Sequence, residues 1–96
     1  MPTAVNFYFT YVLFSLKDKK LYIGFTSNLE NRLKEHRYGK VTSTRERLPL
    51  ELIHYETFRN QKDAKAREKF LKSGFGRSQL KKALQNDLKE LGYKFL

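Results

Sequence analysis

The apolar and polar positions of this chain alternate in blocks that predict strand, strand, helix, strand, helix, helix. Phe7 to Leu16 is rich in aromatic and β-branched residues and reads as a strand. Lys17-Asp18-Lys19-Lys20 breaks it, and apolar character returns from Leu21 to Phe25, so the two segments are expected to pair as an antiparallel hairpin. Tyr11 and Tyr22 then lie on neighbouring strands, where the pleat decides whether they share a face. Ser27 with Glu30 three residues on is a capping-box signal. The helix it opens is expected from about Asn28 to Tyr38, stopping near Gly39, a residue suited to a left-handed cap. Leu29 and Leu33 are its predicted buried stripe. Arg32 and His36, four residues apart, lie along the edge of that stripe and can look into a cleft.

Val41 to Leu48 is polar and reads as a loop at the mouth of that cleft, carrying Thr42, Ser43, Thr44, Arg45 and Arg47. Leu50 to Phe58 reads as the third strand, although its apolar positions do not alternate cleanly. Asn60 can cap a helix over Gln61 to Ser73 that Gly74 and Gly76 end. On it Ala64, Glu68 and Leu71 share one face, which places an acid on the apolar side. Arg77 to Leu91 predicts a last amphipathic helix turning Leu80, Ala83, Leu84, Leu88 and Leu91 inward. The fold class is therefore α+β, a small three-stranded antiparallel sheet flanked by about three helices in a single domain over residues 1–96.

Charge changes this picture from a fold into a candidate binder of polyanions. Lys and Arg number 20 against 10 Asp and Glu, a net charge of +10, more than the roughly 2 to 8 that suffices to keep a small domain soluble. Phosphate contacts with counterion release are the natural use of such an excess. Between Arg59 and Lys82 nine basic residues face two acids, a local net charge of +7. Lys62, Lys65, Lys69, Lys72 and Arg77 are the candidate phosphate contacts there, with Arg45 and Arg47 added from the loop. The plain alternative is a solvated helix flank. Nothing resembles a base-reading code, so weak sequence preference is expected, with preference instead for DNA shape. Cysteine is absent, which removes disulfides, thiolate metal sites and thiol catalysis. The run Phe7 to Leu16 is broken by Thr10 and Ser15 and is too short to span a bilayer, and no basic leader precedes it; no membrane association and a cytoplasmic location are expected.

Phosphodiester cleavage needs an activated water, a cation against the phosphoryl oxygens and stabilisation of the departing oxyanion. Arg32 offers a planar fork for the phosphate. His36 titrates near neutrality and can orient a water or pass a proton, or it can simply sit at a helix C-terminus. Glu68 suits a hard divalent cation bound through carboxylate and water; a salt bridge to Lys72 or Arg32 is the competing reading. His54, in the third strand, reads as structural.

Tyr11 after Phe9-Thr10, then Tyr22-Ile23-Gly24, then Arg32, His36 and Glu68 in this order and spacing resembles the GIY-YIG nucleases, small stand-alone bacterial members above all. The likeness covers about Phe9 to Leu80. It departs in having Phe9 and Thr10 where the family has Gly and Ile, and Gln79 and Asn86 are the nearest candidates for a further family Asn. The resemblance implies a DNA endonuclease using Mg²⁺ or Mn²⁺ held by Glu68, with Tyr11 deprotonating the water and Tyr22 holding the scissile phosphate. It implies in-line hydrolysis without a covalent intermediate, leaving a 3′-hydroxyl and a 5′-phosphate. The implied partner is DNA, branched or structured, for a monomer or weak dimer. A catalytically weak or inactive module binding structured DNA or RNA is the second reading. An adaptor docking through the apolar tail Tyr93, Phe95 and Leu96 is the third.

Overall fold

A computed structural model describes residues 6–95 and has three antiparallel strands and four α-helices. Strands β1 (Tyr8–Ser15), β2 (Leu21–Thr26) and β3 (Leu50–Phe58) form one sheet in the order β2-β1-β3. The helices are α1 (Leu29–Arg37), α2 (Gln61–Lys72), α3 (Gly74–Ala83) and α4 (Gln85–Glu90), and a 3₁₀ turn covers Arg45–Arg47.

Period-two alternation in β1 divides the fold into layers. Val12 and Phe14 turn to one face and join Leu21, Ile23, Leu71, Leu80 and Leu88 in the buried apolar core under α2–α4. On that face the Thr10 hydroxyl donates to the carbonyl of Ala64 at 2.7 Å, docking α2 on the central strand. Tyr11 and Leu13 turn the opposite way, towards α1. Their cross-strand partners on β2 are Gly24 and Tyr22, so the two tyrosines share this face. Both faces of the sheet are thus covered, one by α2–α4 and the other, in part, by α1 and the 41–48 loop. The imperfect alternation of β3 has a local cause: the register slips between Val12 and Leu13, opposite His54 and Leu52, leaving Ile53 as an extra residue.

Several boundaries differ from the sequence expectation. Asn28, not Ser27, caps α1, its side chain accepting from the Asn31 amide at 3.0 Å. Leu29 and Leu33 are half-buried, and the fully buried residue of α1 is His36. Gly39, at φ +71°, follows the helix end as expected. Asn60 caps α2 as expected, accepting from the Lys62 amide. Gly74 and Gly76 do not end α2 in a loop; they belong to the first turn of α3, whose N-cap is Ser73. The expected helix Arg77–Leu91 is instead two helices broken at Leu84, whose backbone sits at φ −107° and ψ 19°. That break leaves Ala83 exposed while Leu80 and Leu88 stay buried.

At the C-terminus Tyr93 packs against the core and meets the Phe14 ring edge-on at 6.5 Å, with Phe95 against it at 4.8 Å. Tyr93 is thus withdrawn from the adaptor tail, while Phe95 stays 42% exposed and Leu96 lies outside the described residues. No helix among the described residues is long and apolar enough to cross a membrane.

Candidate active site

Tyr11 is brought to its place by the central strand and held there by the absence of a side chain opposite. A Cβ on Gly24 would stand 2.5 Å from the Tyr11 hydroxyl oxygen, so only glycine lets the ring lie across β2. The Tyr11 hydroxyl lies 2.8 Å from His36 Nε2 and accepts from Arg32 Nε at 3.4 Å. Arg32 and His36 reach it together because one helical turn separates them. Arg32 also donates to Glu35 at 3.1 Å, one turn along the same helix. Tyr22 completes the cluster, its ring edge-on to His36 at 5.3 Å and tilted to Tyr11 at 6.3 Å.

The 41–48 loop closes the other side of His36. Thr44 Oγ1 meets His36 Nδ1 at 2.7 Å, and Ser43 donates to the Tyr22 hydroxyl at 3.4 Å. Arg47 pins the loop, donating to Asp18 at 2.6 Å and to the carbonyls of Lys20 and Leu21, while its own carbonyl accepts from Ser15 at 2.6 Å. Its guanidinium is thus committed to the β1–β2 turn. That role differs from the phosphate contact expected of it.

Burial governs the electrostatics of these groups. It pushes the Tyr11 phenol up to about 12, against the pull of the Arg32 hydrogen bond, with smaller upward pushes from Tyr22 and Glu68. Burial also holds His36 down at about 4, helped by the Arg32 charge, so the imidazole is neutral at physiological pH. Arg32 is raised further, first by its bond to Tyr11, and stays a cation throughout.

Glu68 reaches the cluster by its field. Its carboxylate, 22% exposed, makes no hydrogen bond to Tyr11, Arg32 or His36 and instead accepts from Lys72 at 2.8 Å. The salt bridge weighed against a metal role therefore exists. Among the described residues no group of three or more His, Asp and Glu side chains could hold a metal ion.

The basic residues divide in two. Lys62, Lys65 and Lys69 are exposed along α2, and the Lys65 ammonium lies 5.3 Å over the Phe25 ring. Arg77 stands apart from them, beside Lys20, Arg47 and Lys81 in a shallow recess by the β1–β2 turn. Arg45 is exposed on the 3₁₀ turn. His54 binds Glu56 at 3.0 Å, and Glu56 accepts from Arg67 at the same distance, an ion cluster tying β3 to α2. Thr44 is the contributor that sequence reading did not single out; Gly24 entered only as part of the Tyr22-Ile23-Gly24 motif, without its packing role against Tyr11. Thr44 was one polar loop residue among several, and its distance of eight residues from His36 carries no helical or strand signal.

The GIY-YIG catalytic domain model matches residues 7–82. The UPF0213 protein YsiG of Lactococcus lactis subsp. lactis is 41% identical over 85 residues, which cover 88% of this chain and 81% of that protein. The UPF0213 protein CPE1444 of Clostridium perfringens is 36% identical over 86 residues, covering 88% and 91% respectively. The solution NMR structure of the UPF0213 protein BH0048 from Bacillus halodurans, 31% identical, aligns with a TM-score of 0.49 over 77% of this chain and 81% of that one.

Proposed function

The chain belongs to the GIY-YIG family, and on that premise we propose that it is a metal-dependent DNA endonuclease, one domain over its 96 residues. The observation that carries the reading is the convergence of Arg32 Nε and His36 Nε2 on one tyrosine oxygen, on the face that Tyr22 shares. Arg32, always charged and 34% exposed, clamps a phosphoryl oxygen and offsets charge developing on it. Tyr22 holds the scissile phosphate through its hydroxyl. Tyr11, its own phenolic proton first lost to solvent, takes a proton from the attacking water as the new P–O bond forms in line with the departing 3′-oxygen. The P–O3′ bond breaks, and the released alkoxide takes a proton from solvent.

A free-protein phenol pushed up to about 12 is a poor base. Positive charge added beside it would bring that value down. Glu68 would hold the divalent ion, Mg²⁺ or Mn²⁺, with Lys72 released. Such an ion supplies Lewis-acid stabilisation of the phosphate and the leaving oxygen and lowers the pKa of nearby groups.

The test is nicking of supercoiled plasmid and of a branched DNA by the full chain with Mg²⁺ or Mn²⁺. Cleavage is expected, lost with EDTA, with Glu68→Gln and with Arg32→Ala, while affinity for DNA stays within a few-fold of the parent. Unchanged cutting by either variant would refute the site. A second reading, a nucleic-acid-binding module of little or no activity, draws on one observation: Lys72 already neutralises Glu68 in the free protein. Tight binding of branched DNA or RNA without cleavage by the parent, unaltered in Glu68→Gln, is its signature.

A further inference from the structure

Tyr11, His36 and Thr44 form a hydrogen-bonded chain with one more hydrogen than it can hold. The phenol meets His36 Nε2 at 2.8 Å, and the Thr44 hydroxyl meets His36 Nδ1 at 2.7 Å. His36 is neutral at physiological pH, so one of its ring nitrogens carries a hydrogen and the other a lone pair. Phenol, imidazole and hydroxyl each bring one hydrogen, and the chain has two internal contacts. The third hydrogen has to leave at one end.

The two ends are not equivalent. If the ring hydrogen sits on Nδ1, the Thr44 hydroxyl accepts it and must send its own hydrogen elsewhere. Thr44 is 0% exposed, and Nδ1 is the only partner of its hydroxyl among the described residues. If the ring hydrogen sits on Nε2, the phenolic hydrogen is the one that leaves. Tyr11 is closed to solvent as well, but its oxygen also meets Arg32, whose side chain is 34% exposed, and it feels the charge of Glu68, the side on which the nuclease reading puts phosphate and water.

We propose that Thr44 is a positioning residue whose hydroxyl donates to His36 Nδ1, fixing the imidazole with its hydrogen on Nε2 and aimed at the Tyr11 oxygen. Tyr11 then accepts two hydrogen bonds, from His36 Nε2 and Arg32 Nε, an arrangement that favours the phenolate. His36 is thereby a donor to Tyr11 rather than the base that deprotonates it. The phenolic proton leaves to solvent before the attack, and the phenolate takes the proton of the attacking water. This catalytic consequence rests on the nuclease reading, whereas the tautomer does not.

Long-range ¹H–¹⁵N NMR on the labelled full chain, without DNA and at neutral pH, reads the tautomer directly. A protonated Nε2 and a bare Nδ1 at His36 are expected. A hydrogen on Nδ1, an imidazolium, or two averaged nitrogen shifts would overturn the assignment, and no variant needs to fold for this result. In cleavage, Thr44→Ser is expected to stay within about threefold of the parent, and Thr44→Val to lose about ten- to a hundredfold with DNA affinity unchanged. Full activity in the valine variant, or equal loss in both, removes the positioning role. A parent chain that cuts no substrate removes the nuclease reading alone, because the nitrogen shifts are measured without it.

Discussion

A methyl group added at Gly24 would lie 2.5 Å from both Cζ and the hydroxyl oxygen of Tyr11, closer than any real contact allows. The ring is 0% exposed and bonded to His36, so it cannot swing away without breaking the cluster. Gly24→Ala is expected to cost about 1–3 kcal/mol of stability by overpacking, measured by urea denaturation, and to abolish nicking in protein that is still folded. Parent-like stability together with parent-like cutting would show that Tyr11 is not held as described. His36 makes a second prediction at this scale. Its pKa falls from 6.5 to about 4 on folding, so the unfolded chain binds the proton more readily. The stability this contributes is complete above about pH 6.5 and drains away as pH falls towards 4, on the order of 3 kcal/mol in all. Denaturation midpoints from pH 7 to pH 4 should fall less steeply for His36→Gln than for the parent. Parallel profiles would mean that the imidazole is not buried in its neutral form.

At the scale of elements, the loop carrying Ser43 and Thr44 is fastened by a residue that composition alone would give to DNA. Arg47 donates to Asp18 and to two backbone carbonyls of the β1–β2 turn, and it holds the Asp18 carboxyl below the usual range. Arg47→Ala is therefore expected to lower stability by about 1–2 kcal/mol and to slow cleavage through a loosened Thr44, with the salt dependence of DNA binding unmoved. A shallower salt slope with unchanged stability would return Arg47 to the phosphate-contact role. The hairpin, α1 and α2 were legible in the sequence because each is written by a local rule: aromatic and β-branched runs, a polar break, an Asn cap, helical spacing. Tyr11, Tyr22, Arg32 and His36 were singled out by their likeness to the GIY-YIG motifs; helical spacing put Arg32 and His36 on one side, but only the register of β1 on β2 puts the two tyrosines on one face. The junction after α2 was not legible, because glycine at a helix end usually marks a stop. Gly76 instead serves close packing: a Cβ there would lie under 3 Å from three backbone atoms of Phe70 and Leu71. Ser73 donates to the Phe70 carbonyl and accepts from the Gly76 amide, turning the chain directly from one helix into the next. The break at Leu84 and the role of Thr44 depend on tertiary neighbours and leave no periodic trace.

For the whole molecule the question is whether +10 is a binding surface or only a solvated one. Lys65 and Lys69 discriminate, because they are exposed one turn apart on α2, the helix that also carries Glu68. Like charges at this spacing repel, by a few tenths of a kcal/mol in isolated helices, so fold stability gives no reason to pair them. Each Lys→Glu change removes one positive charge and adds one negative charge, and changing both lowers the net charge from +10 to +6. Neither ammonium bonds to Tyr11, Arg32, His36 or Glu68. If these lysines track the DNA backbone, affinity at moderate salt should fall by tenfold or more, and the slope of log K against log salt should flatten by about 2, near 0.9 for each lost phosphate contact. The cleavage rate at saturating DNA should stay at the parent value, since the chemistry sits elsewhere. Fluorescence anisotropy across a salt series, beside single-turnover nicking, separates the two quantities. A drop in affinity with no change in slope would point to altered shape or stability rather than lost contacts. Unchanged affinity and slope would leave α2 a solvated flank and move the DNA path to Arg45 and to the recess of Lys20, Arg77 and Lys81.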